Sequence, residues 1–458
     1  MSGKKVLIGL LSVLLALSGF GWAFGKTIEL TYMYWGSPEE RVVQENMLKD
    51  FEEAYQDIFP GIKVKALHVP SNYDEKIASM VAGGTPPTVA QVSEGQILEW
   101  AEEGVVLDIL PLIEKDPDPS VQIENRIPET WYWYDGGGKT IGTNLAVEVM
   151  LTWYNKDIFD ENNVPYPPSD PKEWTWDLFL ETAIQLTTDR NGKHPNEEGF
   201  DPQNIKTYGV MFPSGYGSIL PVIWSNGGDI VDETGTKPLI GEKEAIEAVQ
   251  LIADLIHVHH VAPTPSQIAG LPASYVALQT KQVAMVLDGQ WALLDLGKMS
   301  KEGRLNLGVA PCPYVKEPVC LELGAPNAIF TDAVKDDPEV LEAAWELYKW
   351  CTDSEKVLPL IQSGLWMPLQ TWWYTDEEYL EKWLTPGIHP PEYKEAVIDY
   401  LLEYGRRSPA YYLKNWLLIN DIFYQEMDGV FSGRLTAEEA CKNVAEKVEP
   451  HLKGRYDR

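Results

Sequence analysis

Residues 142–157 read GTNLAVEVMLTWYNKD. From Leu145 to Tyr154 the run is apolar and rich in β-branched and aromatic side chains, the pattern of a buried strand, yet Glu148 sits in its middle. A carboxylate ionised in an apolar setting costs several kcal/mol unless it is neutralised or hydrogen-bonded. A polar group of the protein, water or a ligand must therefore meet Glu148. A solvated strand face or an internal arginine partner would meet the same requirement. Tyr154, Asn155, Lys156 and Asp157 leave the strand at a polar turn, and the segment reads as a strand crossing between two lobes.

The chain around it has 458 residues, enough for more than one core. With 37 basic against 69 acidic residues its formal charge is −32, which repels nucleic acid and anionic lipid and argues against a polyanion-binding role. Tryptophan is abundant at 17 residues; such rings fill cores first but also stack on flat apolar ligand faces. Residues 1–25 carry Lys4 and Lys5, an apolar run from Val6 to Leu17 and the small-residue site Ala23-Phe24-Gly25, the layout of a cleavable secretory signal peptide. The apolar core is short for a membrane span, and no cysteine follows it as a lipoprotein signal would require. The expected location is periplasmic or extracellular. Cys312, Cys320, Cys351 and Cys441 remain; Cys312 and Cys320 could clip a proline-rich hairpin, or all four could be buried thiols.

The crossing segment resembles that of the extracellular solute-binding proteins of ABC sugar importers, family 1, the group typified by maltose-binding protein. Ala146-Val147-Glu148 stands where that family has an A-V-E triplet, and Tyr154 to Asp157 where it has a Y-N-K-D turn. The resemblance extends through PGIKV at 60–64, AGGTPP at 82–87 and WAEEGVVLDI at 100–109, although Thr88 replaces the usual acidic residue after the proline pair. Later come a T-W helix start at Thr175-Trp176, Asn226-Gly227-Gly228-Asp229, and Ala284 to Trp291, similar to the family's A-M-x-x-x-G-x-W motif. It implies an α/β, two-lobed periplasmic-binding-protein fold of type II with hinge-connected lobes and a helical C-terminal region. The expected division is residues 26–145 plus 322–373 for one lobe and 146–321 plus 374–458 for the other.

The local patterns agree. Residues 28–35 alternate as a strand, Ser37-Pro38-Glu39-Glu40 opens a helix with a capping box, and residues 62–69 return as a strand, a right-handed βαβ start. Residues 73–82 and 96–103 read as helices around a short strand at 88–92, and residues 242–260 as a long helix. WYWYDGGG at 131–138 marks a turn. Gly138-Lys139-Thr140 is not a phosphate loop, because the glycine required at position 133 is Trp133. His257, His259 and His260 lack the spacing of a helical metal pair, so no metal or cofactor is expected. Residues 374–407 read as helical, and Thr436 to Glu439 as a capping box on the last helix.

A saccharide offers hydroxyls, which suit charged acceptors, and flat C–H faces, which suit aromatic rings. Glu94, Glu148 and Asp288 are the candidate acceptors, Glu148 with its carboxylate ionised; Trp35, Tyr73, Tyr216, Trp291 and Trp366 are the candidate platforms. Trp35, Glu94 and Trp291 lie at or just beyond predicted strand ends, where open α/β sheets bind ligands. In the family the Glu of the triplet binds sugar hydroxyls and the tryptophan after the glycine stacks on a sugar ring. The resemblance thus implies a monomeric carrier that closes on an oligosaccharide and delivers it to permease subunits of an ABC transporter. A secreted glycoside hydrolase, which needs a second carboxylate at a set separation, and a binder of a non-sugar solute such as a glycerol phosphate are the alternatives. No catalytic residue is assigned, and no nucleophile elbow, zincin helix or dinucleotide fingerprint is present.

Overall fold

The computed structural model describes residues 27–213 and 215–458; the stretch read as a signal peptide lies outside them. β1 (Glu29–Tyr34) feeds a helix over Pro38–Tyr55, started by the Ser37 side chain, which accepts from the Glu40 backbone N–H at 3.2 Å. That helix returns the chain to β2 (Lys63–His68), parallel to β1. A second helix, Tyr73–Ala82, leads to β3 (Val89–Gln91) and a third, Glu94–Glu102, follows. Thr88, the residue that departs from the family pattern, uses its Oγ1 to accept the Thr31 N–H at 3.0 Å.

Of the WYWYDGGG stretch, the first four residues form β4 (Trp131–Tyr134) and only 135–138 turn, as the tip of a hairpin with β5 (Lys139–Thr143). The crossing strand, β6 (Glu148–Asn155), begins at Glu148, three residues later than the apolar run suggested. Residues 144–147 instead run between the sheets: the Leu145 N–H reaches the Ala325 carbonyl at 2.8 Å and the Val147 N–H that of Met367 at 3.2 Å.

β6 is the axis of a second sheet, with β7 (Thr188–Asp189), β8 (Ile205–Met211), β9 (Val283–Gly289), β10 (Leu307–Ala310) and β11 (Cys320–Leu323). β12 (Asn327–Ile329) returns to the first sheet, whose order is β12-β3-β1-β2. β13 (Gly405–Arg407) adds parallel to β11 and completes the order β13-β11-β6-β9-β8-β7, with β10 also on β6. This strand corrects the expectation of helix through 374–407. Pro386, Pro390 and Pro391 remove backbone donors and break the helical run after Trp383, and the chain leaves the next helical stretch at Gly405. The long helix after Glu242 stops at His257. The Thr436 capping box forms in both directions, Thr436 N–H to Glu439 Oε2 at 3.0 Å and Glu439 N–H to Thr436 Oγ1 at 3.2 Å.

The first sheet is parallel except for β12, whereas β6 runs antiparallel to β9, β10 and β11; β6 and β9 are buried along nearly their whole length. Trp131, Trp153, Trp174, Trp373 and Trp383 are fully buried, so much of the tryptophan count serves the core. All four cysteines are buried free thiols, with Cys312 Sγ donating to the Met150 carbonyl at 3.2 Å. No helix among the described residues is long and apolar enough to cross a membrane.

Candidate functional site

The two sheets meet around a cleft of about 600 Å³. Its lining comes partly from residues at or just beyond strand ends and partly from the helices and loops that border them. Trp35 follows β1. Gly36 comes next with φ +118°, and Glu40, one turn into the helix, folds back so that a Cβ on Gly36 would lie 2.0 Å from Glu40 Oε2. Only glycine fits there. Glu94 opens the helix after β3, and Glu148 opens β6.

On the opposite wall, Asp288 lies near the end of β9, where Ser274 Oγ donates to its Oδ2 and the Gly289 N–H to its Oδ1, both at 2.8 Å. Trp291 folds back over Gly289, whose missing Cβ would lie 2.1 Å from the indole ring. Gln290 Nε2 donates to the Gly364 carbonyl at 3.0 Å and so ties this turn to the loop that carries Trp366. Trp366 itself is mostly buried, with one edge on the cleft.

Six of the sequence candidates therefore line one cavity: Trp35, Glu94, Glu148, Asp288, Trp291 and Trp366. Tyr73 and Tyr216 are not among its lining. Tyr73 is buried behind Trp35, and Tyr216 meets Trp416 edge to face at 5.3 Å. Glu40, Gln91, Ser274, Tyr275 and Asp295 line the cleft and were not singled out in the sequence. Glu40 reads locally as a helix-capping residue and Asp295 as an ordinary helical acid, so neither carries a local signal.

The lining holds five carboxyl groups and no lysine, arginine or histidine. No ion pair among the described residues involves any of the five. Burial pushes Glu40 up to about 7 and Glu94 up to about 8. Glu148 is raised well above the usual carboxylate range, first by burial and then by Glu40 and Glu94. Burial also raises Asp288, against the bonds from Ser274 and Gly289, and Asp295, where Glu39 adds to the effect. The expectation of an ionised Glu148 is thus corrected: burial first, and then the acidic neighbours Glu40 and Glu94, favour the neutral carboxyl. Glu94 Oε2 is buried without a partner. Such a wall offers hydrogen-bonding groups left open for a polar, uncharged or cationic solute.

No group of three or more His, Cys, Asp or Glu side chains among the described residues is arranged to hold a metal ion. His257 and His260 use a ring nitrogen each on the Val430 and Ile256 carbonyls, at 3.0 and 3.1 Å.

The chain is similar to an ABC substrate-binding protein from Listeria monocytogenes solved in complex with cycloalternan, at 26% identity over 93% of this chain and 99% of that one, with a TM-score of 0.76. It is similar in fold to maltose-bound MalE3 of T. maritima, at 20% identity over 93% of this chain and all of that one, with a TM-score of 0.73. An arabinooligosaccharide-binding protein of Halalkalibacterium halodurans is 25% identical over 222 residues, 47% of this chain and 44% of that protein. These neighbours carry the α/β, two-lobed arrangement read from the crossing strand. A family model described as bacterial extracellular solute-binding protein matches residues 46–384, and the chain belongs to that family.

Proposed function

We propose that this protein binds an oligosaccharide between its lobes and delivers it to the permease of an ABC transporter. The observation that carries this reading is the cleft itself: three indoles and five carboxyl groups brought to one cavity from both sheets, with no basic side chain among them. Indoles suit the C–H faces of sugar rings, and carboxyl groups suit hydroxyls. The relatives solved with cycloalternan and maltose support the same ligand class. A phosphate or uronate would find no basic side chain in the lining to pair with its charge, which argues against the glycerol phosphate reading.

Lobe boundaries near residues 145, 322 and 374 make the segments on either side of β6 and β11 the hinge. Across the mouth of the cleft, Lys298 Nζ lies 2.8 Å from Glu39 Oε1, a contact between a helix of each lobe that opening would break. Each of its side chains is about half exposed, so solvent screening leaves the pair only a weak hold on closure. Closure on the ligand, export with cleavage near residue 25, and a monomeric state complete the proposal.

Calorimetry against a panel of neutral oligosaccharides, with small-angle scattering on any pair that binds, tests it. Saturable binding with a smaller radius of gyration is expected; failure of every saccharide to bind would overturn the reading.

A further inference from the structure

Outside the cleft, one carboxyl group has no role in the proposed binding. Glu322 is fully buried near the end of β11, where that strand runs antiparallel to β6 with Leu323 opposite Glu148. Its Oε1 accepts from Asn144 Nδ2 at 2.7 Å and lies 3.4 Å from the Tyr411 hydroxyl. Asn144 Nδ2 is also 2.7 Å from the Tyr411 oxygen. The Tyr132 hydroxyl donates to the Gly324 carbonyl at 2.7 Å, and the Tyr132 and Tyr411 rings pack at 4.5 Å. Gly324 has φ +149°, and a Cβ there would press on Asn144 Nδ2 at 3.0 Å.

These residues come from four separate stretches. Asn144 precedes the first passage between the sheets, Glu322 and Gly324 border the second, Tyr132 is on the β4–β5 hairpin, and Tyr411 follows β13. None of Asn144, Glu322, Tyr132 and Tyr411 lines the cleft. We propose that the knot of Asn144, Glu322 and Tyr411 is the pivot of lobe movement, and that these positioning residues set the angle between the lobes from outside the ligand site. The proposal rests on the two-lobed, closing reading above.

The chemistry fits a bend that must be specified closely. The hydrogen bonds of a buried polar knot are directional, whereas apolar packing at a pivot would tolerate a range of angles. Glu322 is held neutral: burial raises it first, then Glu94, Glu129 and Glu148, while Arg406 and Arg407 of the neighbouring strand turn to Asp229 and Asp457. As a neutral acid it carries an O–H, and in this arrangement Glu322 Oε2 and Asn144 Oδ1 are both buried without a partner. Glutamine at 322 would also supply donors, and alanine would not.

The test needs no ligand, so it stands or falls apart from the choice of sugar. Nitroxide labels at Lys49→Cys and Lys243→Cys, exposed on helices of the two lobes, report the interlobe distance distribution by pulsed electron paramagnetic resonance. Glu322→Gln should keep the distribution of the labelled parent, while Glu322→Ala and Asn144→Ala should broaden it and move its mean. Thermal unfolding beside each measurement separates folded variants from collapsed ones. If neither alanine variant folds, Tyr411→Phe, which removes a single hydroxyl, decides by the same readout. Folded variants with an unchanged distribution would overturn the pivot, as would a glutamine variant that behaves like the alanine one.

Discussion

Tyr73 meets Trp35 edge to face, with ring centroids 4.8 Å apart, while its hydroxyl stands 2.9 Å from the Met33 carbonyl oxygen and 2.8 Å from that of Gln91. Tyr73 therefore braces the Trp35 platform from behind and joins the ends of β1 and β3. Tyr73→Phe keeps the ring contact and loses the hydroxyl bonds, so it should lower stability by about 1 kcal/mol and leave affinity within about twofold. Tyr73→Ala should weaken saccharide binding as well, because Trp35 loses its support. Denaturant unfolding and calorimetry on both variants check this pair of outcomes.

Trp291 and Gly289 offer two routes to the same loss. Trp291→Ala removes the ring and should weaken binding by roughly 1 to 3 kcal/mol. Gly289→Ala leaves the ring in place chemically but drives it off the strand end, since the new Cβ would fall 2.1 Å from the indole. A comparable drop in affinity is expected from both, measured by calorimetry with intrinsic fluorescence as a report on the indole. Wild-type affinity in both variants would return Trp291 to a packing role.

Glu148 is predicted to act as a neutral carboxyl. Glu148→Gln should then change affinity near neutral pH by less than about threefold, and Glu148→Ala should cost roughly 1 to 3 kcal/mol because buried ligand hydroxyls lose their partner. Calorimetry on the two variants measures the difference. Chromatography of oligosaccharide after long incubation with wild-type protein should show no shortened products; cleavage abolished in Glu148→Gln would favour the hydrolase.

Stability should fall as pH rises. Glu94, pushed up from 4.5 to about 8 by burial, keeps a proton in the folded chain that the unfolded chain releases. Its contribution is fully present below about 4.5 and is lost as pH climbs through about 8. Between about pH 5 and pH 9 the wild type should lose roughly 1 to 2 kcal/mol more than Glu94→Gln, after discounting for the open cleft. Chemical unfolding at a series of pH values gives the two curves; parallel curves would contradict the assignment.

The four cysteines should be inert. Thiol titration is expected to find none reactive in the native protein and four after unfolding, and a reductant should leave the melting temperature unchanged.

The strand that crosses between lobes, the βαβ start and the terminal capping box were legible in the sequence because each is fixed by neighbours within a few residues. Period, branching and cap chemistry are local quantities. Glu148, Asp288 and Trp291 were picked out because they stand inside recognisable phrases; that Glu148 opens β6 rather than sitting in its middle came from the fold. The tertiary structure alone decided that Glu40 and Asp295 join them, that Tyr73 stands behind the wall and that Tyr216 packs on Trp416 instead. It also decided the strand at Gly405–Arg407, whose partner Cys320–Leu323 lies far away in the chain. The charge state of Glu148 belongs to the same class, because it is set first by burial and then by Glu40 and Glu94, which come from helices more than fifty residues away in sequence. Pairing, burial and electrostatic repulsion depend on distance in space, and only the folded chain brings those distances into being.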